Sequence, residues 1–192
     1  MPITMCFTGH RNIVPIDHTG PPWPDQSNIV HNYHMMFVET LTNILRQLND
    51  VNYTTFISGG ALGADQLAAQ AVINLKAEGR EAHLVIAKPF PGQDRIWPAK
   101  SKAELQRLCN LADEVYPVSA VNPENKQDVS RMMQDRNIHM VDRSDTVMSI
   151  WNGTKRGGTW NCIQYAVSQG KIPWRLNPYT FELAQFKKEV SV

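Results

Sequence analysis

Two stretches of this chain carry residue types suited to holding an anion. Ser58-Gly-Gly-Ala-Leu-Gly-Ala-Asp65 follows an apolar run and opens a helical pattern, and Asn152-Gly-Thr-Lys-Arg-Gly-Gly-Thr-Trp-Asn161 does the same further on. Gly59, Gly60 and Gly63 in the first stretch, and Gly157 and Gly158 in the second, accept backbone angles closed to other residues and let a ligand approach the main chain. A helix starting at such a turn presents unpaired N–H groups and the positive end of its dipole, a chemistry that holds phosphate or carboxylate. The spacing Gly-Gly-x-x-Gly-x-Asp is neither the Walker pattern nor a full dinucleotide fingerprint, so a tight turn without a ligand is the competing reading.

Other polar residues gather where apolar runs stop. Thr8-Gly9-His10-Arg11 closes the first run, and an arginine there either clamps a phosphate bidentately or serves as a surface salt bridge or cap. His10 is a ligand contact or a histidine bonded to backbone. Lys88-Pro89-Phe90-Pro91-Gly92-Gln93-Asp94 leaves another run, where Phe90 and Trp97 either stack on a base or cover a sheet edge. The breaker-rich loop Asn12–Ser27 carries Trp23, which caps a pocket or covers the first helix. Asp65 is a ligand contact or a first-turn acid on the helix dipole. Arg136 is a ligand contact or the ion-pair partner of Asp142 or Asp145.

These positions require strands and helices to hold them. Apolar runs predict strands at Ile3–Thr8, Tyr53–Ile57, Glu81–Ala87, Glu114–Val118, Asp145–Trp151 and Ile172–Leu176. Val30, Tyr33, Phe37, Leu41, Ile44 and Leu48 step by three or four, the stripe of a helix over Asn28–Leu48 with Ser27 as its cap. Further helices are expected from the first glycine turn through Leu75, at Ser101–Ala112, Gln127–Arg143 and Thr159–Gln169, and near Thr180–Glu189. Strands alternating with helices, twice through a glycine junction, predict an α/β, Rossmann-like, doubly wound and mainly parallel sheet. Helices then cover both faces, and a crevice opens at the strands' carboxyl ends.

At 192 residues, 42% hydrophobic and 19% charged, the chain suits one domain over 1–192. A formal net charge of +1 gives no global footprint for nucleic acid or membrane, so any polyanion contact would need a local cluster. No apolar run reaches membrane-spanning length and no leader pattern is present, which makes a cytoplasmic protein the expectation. Cys6, Cys109 and Cys162 are widely spaced within apolar patterns and read as free buried thiols, with no metal site and no cofactor implied.

The chain resembles the SLOG superfamily of Rossmann-like proteins along most of its length, a group that includes the DprA/Smf DNA-processing proteins and the LOG phosphoribohydrolases. The likeness is to its YpsA-like bacterial and phage branch. It rests on Phe7-Thr-Gly-His-Arg11, Ser58 to Asp65, Pro89-Phe-Pro-Gly-Gln93 with Trp97, Arg136-Asn137, Met140-Val-Asp142, Asp145, Trp151, and Gly157-Gly-Thr159 with Asn161. The resemblance implies a small nucleotide-like ligand. Phosphate would sit on Ser58–Gly63 and Gly157–Thr159, ribose or base near Asp65, Arg136 and Asn161, and stacking would come from Phe90, Trp97 or Trp151. It also implies homodimers, since relatives pair.

The LOG enzymes cleave the bond between base and ribose 5′-monophosphate. Met133-Gln-Asp-Arg136-Asn137-Ile-His-Met140 is similar to their first signature, with Asn137 in place of Lys, and Asn161 stands where their first catalytic Glu would be. An amide supplies neither the charge that stabilises an oxocarbenium-like state nor a base. Nucleotide binding is therefore the leading reading. An N-glycosidic hydrolase is the first alternative, with Arg136 holding phosphate or sugar and Asp65 or Asp94 replacing the Glu. Single-stranded DNA binding through Lys155, Arg156 and Arg11 is the second.

Overall fold

The strands are apolar on both sides because both sides are covered. In β1 (Ile3–Gly9) Met5 and Phe7 enter one core while Cys6 enters the other, and in β2 (Tyr53–Ser58) Phe56 and Ile57 divide the same way. The rings of Phe7 and Phe56 stack across the two strands at 6.1 Å. β3 (His83–Lys88) and β5 (Thr146–Ile150) repeat the alternation, with Leu84, Ile86, Met148 and Ile150 on the first side and Val85, Ala87 and Val147 on the second. The computed structural model describes residues 1–13 and 26–186, with the side chains of 26–28 set aside. Trp23 and most of the Asn12–Ser27 loop therefore lie outside the described residues, as does the Ser27 side chain expected as a cap.

α1 (Gln26–Asn49) and α2 (Ala64–Ala77) lie together on the first face, joined by Leu108 of α3 (Ala99–Leu111). Ala68, Ala71, Val72 and Leu75 of α2 are completely buried, and their small side chains let the helix lie close to sheet and neighbour. On the other face α4 (Lys126–Asp142) supplies Met140 and Val141, and α5 (Gly157–Ser168) supplies Cys162 and Ala166. With β4 (Glu114–Pro117), β6 (Trp174–Leu176) and β7 (Leu183–Gln185) the sheet has seven strands in the order β4-β3-β2-β1-β5-β6-β7. Every pairing is parallel except β6 with β7. This is the expected doubly wound α/β sheet, in one domain. The order in which successive strands are added reverses between β1 and β5, the position at which such sheets open a crevice.

One element departs from expectation. Instead of a helix near Thr180–Glu189, residues 183–185 form β7, while residues 187–189 fall outside the described part. A turn precedes it in which the Asn177 side chain accepts from Tyr179 N–H, and Asn177 and Phe181 N–H donate to Glu182 and Asn177 carbonyls. Phe181 sits at φ 58, outside the helical region, and its ring packs on Tyr33 and Phe37 of α1. The chain is thus turned back onto the open hydrogen-bonding edge of β6, where ladder partners outcompete a short isolated helix. The other boundaries agree with expectation to within two residues.

Candidate functional site

β1 ends between the two glycine junctions, because Thr8 and Gly9 pair with Ser149 and Ile150 of β5 while Cys6 pairs with Ile57 of β2. A Cβ on Gly9 would stand 2.4 Å from the Ala64 Cβ and 2.8 Å from that of Ile150, so only glycine lets the strand pass there. His10 then links both junctions. Its carbonyl accepts from Ala64 N–H at 3.1 Å, and its ring Nε2 lies 2.9 Å from Asn152 Oδ1 in the second turn. Burial holds the His10 pKa below its ordinary value, with the Asn152 contact partly opposing it. Arg11 is exposed, and its backbone fills the space that a Cβ on Gly63 would need.

The first glycine turn is closed upon itself. Gly59 and Gly60 are buried. Gly60 N–H donates to Ser58 Oγ at 3.1 Å, Ala61 N–H donates to Asp65 Oδ2 at 3.3 Å, and Ser58 Oγ donates to the Asp65 carbonyl at 2.8 Å. Arg136, carried by α4 from the opposite face, lays its guanidinium on Gly59, where a Cβ would meet Nη1 at 0.9 Å. Nη1 donates to Asp65 Oδ2 at 3.1 Å, and both side chains are almost fully buried. Desolvation raises the Asp65 pKa and the Arg136 charge pulls it back. Asp142 and Asp145, the partners considered from sequence, are engaged elsewhere, by the Tyr165 hydroxyl and the Thr4 N–H. Arg136 Nε and both polar atoms of the buried Gln93 amide have no partner among the described residues.

The second glycine turn is open. Gly157 and Gly158 are exposed, Gly157 takes φ 80, and α5 starts there with neither a side-chain cap nor an acid in its first turn. Lys155 and Arg156 flank it, both exposed, and Asn161 is exposed one turn in. Thr159 is buried beneath. The Asn137 amide nitrogen lies 3.9 Å from where a Gly158 Cβ would stand. Adjacent residues of α4, Arg136 and Asn137, therefore reach one turn each. Behind them the Cys162 thiol, hydrogen-bonded to Thr8, is pushed up to about 11 by burial.

Not every residue singled out from sequence joins this group. Trp151, expected to stack on a base, is buried, with its ring stacked against Trp160 at 5.2 Å and Phe186 at 5.5 Å and its N–H donated to the Thr154 carbonyl. Phe90 is buried as well, whereas Trp97 is half-buried. Asp94 lies on the α3 side, within electrostatic reach of Cys109 together with Lys88. Among the described residues no group of histidine, cysteine, aspartate and glutamate could hold a metal, and no helix is long and apolar enough to cross a membrane.

A family model, YpsA, described as the YspA SLOG family, matches residues 30–187. The chain belongs to this SLOG family. Among similar proteins, the uncharacterized SPbeta prophage-derived protein YoqJ of Bacillus subtilis (strain 168) is 38% identical over 143 residues, covering 69% of this chain and 82% of that protein. A UPF0398 protein of Bacillus cereus (strain B4264) is 22% identical over 116 residues, 60% of this chain and 61% of its own length.

In this SLOG chain, further residues that sequence spacing did not single out make contacts around these positions. Asn152 is paired with His10, Cys162 stands behind Arg136 and Asp65, and Trp160 and Phe186 cover Trp151. Asn152 lies at the start of the second turn, next to the strand end, and its position was the only available signal. Phe186 had none, because it reaches Trp151 only through the β6–β7 pairing.

Proposed function

We propose that this SLOG protein binds a nucleotide or nucleotide-derived ligand whose phosphate sits at the amino end of α5. The observation that carries the reading is the contrast between the two turns. At α2 the amides of Gly60, Ala61 and Ala64 are taken by Ser58, Asp65 and His10, and a carboxylate already occupies the first turn. At α5 the helix end is uncapped, free of acid, exposed and flanked by cations. Asn137 and Asn161 face the sugar or base as neutral polar groups. Arg136 and Asp65 form the wall behind them, positioning the Gly59 turn.

Binding is favoured over hydrolysis because neither candidate acid is free beside the open turn. Asp65 is committed to Arg136, and Asp94 belongs to the α3 side. Calorimetric titration with a panel of nucleoside monophosphates should give saturable binding to at least one member, without release of free base. Gly158→Asp introduces a carboxylate at the helix end, at a position with ordinary φ and no close neighbour, so the fold should be kept or slightly stabilised. Binding should nevertheless weaken by about 1.5–3 kcal/mol, the worth of a hydrogen bond to a charged group, and Arg156→Glu should act the same way. Affinity indifferent to both substitutions would remove α5 as the seat, and release of base from the panel would favour the hydrolase.

A further inference from the structure

A cavity of about 910 Å³ opens between α5 and the β6–β7 hairpin. Its apolar wall is aromatic and aliphatic. Trp151 lies deepest, Trp160 and Phe186 stack against it and are half-buried, and Val167 and Ile172 are 43% and 54% exposed at the rim. Three cations share the lining, Lys155, Lys171 and Arg175, and among the described residues no carboxylate does. Lys171 is spent on the Val141 and Ser144 carbonyls. Arg175 is not: its Nε donates to the Trp151 carbonyl at 3.3 Å and its guanidinium lies over the Trp151 ring at 5.3 Å, but its terminal nitrogens meet no acceptor among the described residues. Lys155 rests over the Trp160 ring at 5.8 Å, without an ion pair among the described residues.

This combination is selective in its chemistry. A cation is repelled by the lining, and a neutral apolar molecule leaves the Arg175 fork unused. A bare phosphate leaves the exposed aliphatic rim wet. A flat ring bearing an anionic group uses both halves, since its body packs on the Trp160, Val167 and Ile172 surface while the anion takes the open fork of Arg175. We propose that this cleft is a second ligand site, adjoining the α5 turn at Lys155 but lying on the other side of it from Arg156, Gly157 and Gly158, none of which lines the cleft, and that it takes a small planar aromatic anion.

The test is titration of the full chain with naphthoate, read by quenching of tryptophan fluorescence, with neutral naphthalenemethanol and inorganic phosphate as controls. Naphthoate should quench saturably and bind about tenfold or more tightly than the alcohol, and phosphate should not displace it. Arg175→Gln should erase that preference for the anion and leave the alcohol unchanged. Lys155→Gln, at an exposed position, should reduce it in the same direction and serves if Arg175→Gln fails to fold. Arg156→Glu, which probes the helix end, should leave naphthoate affinity as it is. Equal binding of acid and alcohol, absence of saturation, an unchanged preference in both cation variants, or loss in Arg156→Glu would each overturn the second site.

Discussion

Sequence leaves Arg136 as a ligand contact or the ion-pair partner of Asp142 or Asp145, and in the structure its guanidinium is buried against Asp65 instead of either of those acids. Truncating either partner strands the other charge without solvent. Arg136→Ala or Asp65→Ala should therefore cost about 3–5 kcal/mol in denaturant unfolding. Replacing both together, as Arg136→Met with Asp65→Leu, should recover much of that loss, because two apolar groups need no partner. A double variant as unstable as the singles would mean that the contact of Arg136 with Gly59, and not its charge, holds the turn. Gly59→Ala tests that contact separately. A Cβ there falls on the guanidinium, so the substitution should be more damaging than the usual overpacking cost of about 1–3 kcal/mol.

At the scale of elements, α2 is bracketed by two glycines that share a positive φ and differ in their surroundings. Gly63 at its start has φ 83 and Gly79 beyond its end has φ 76. A Cβ on Gly79 meets nothing within 4 Å, whereas one on Gly63 would lie 2.1 Å from the Arg11 carbonyl oxygen. Gly79→Ala should cost only the left-handed penalty, about 1–2 kcal/mol, and Gly79→Asn less. Gly63→Ala should cost clearly more, since backbone must move as well. Paired thermal melts that gave equal losses would show the Thr8–Arg11 loop to be loosely held. Glycine content alone does not separate the two glycine turns either. Both sequences place glycines before a helix, yet in one they admit neighbouring parts of the protein and in the other they leave the helix end open.

The whole molecule carries a pH dependence that follows from burial. His10, His34 and His139 are all held below their ordinary value near 6.5, desolvation being the main cause in each. His10 faces Asn152, His34 faces His31, and His139 faces Tyr116, Arg143 and Asp142. Groups with depressed histidine pKa values bind fewer protons folded than unfolded, so stability is full above the ordinary value and falls as pH drops through it. Unfolding free energy should decline from about pH 7.5 to about pH 5.5, and His10→Gln should flatten part of that slope. A slope that rises toward acid would contradict the assignment.

Order and period of the elements were legible in the chain because they are local. Alternating apolar residues at Met5 to Phe7 and Phe56 to Ile57, and the stepped stripe from Val30 to Leu48, follow from what a strand or a helix must bury. The glycine junctions were legible for the same reason. What surrounds Asp65, Trp151 and Gly157 was decided by the fold: Arg136 closes on Asp65 across 71 positions, Phe186 of the last strand's end covers Trp151, and no described residue descends on Gly157. The final strand belongs to this second class, since residues 183–185 become extended only once β6 offers an unpaired edge. Propensity and pattern act within a few residues. Charge pairing, occlusion and ladder completion depend on which surfaces meet, and only the assembled sheet brings those surfaces together.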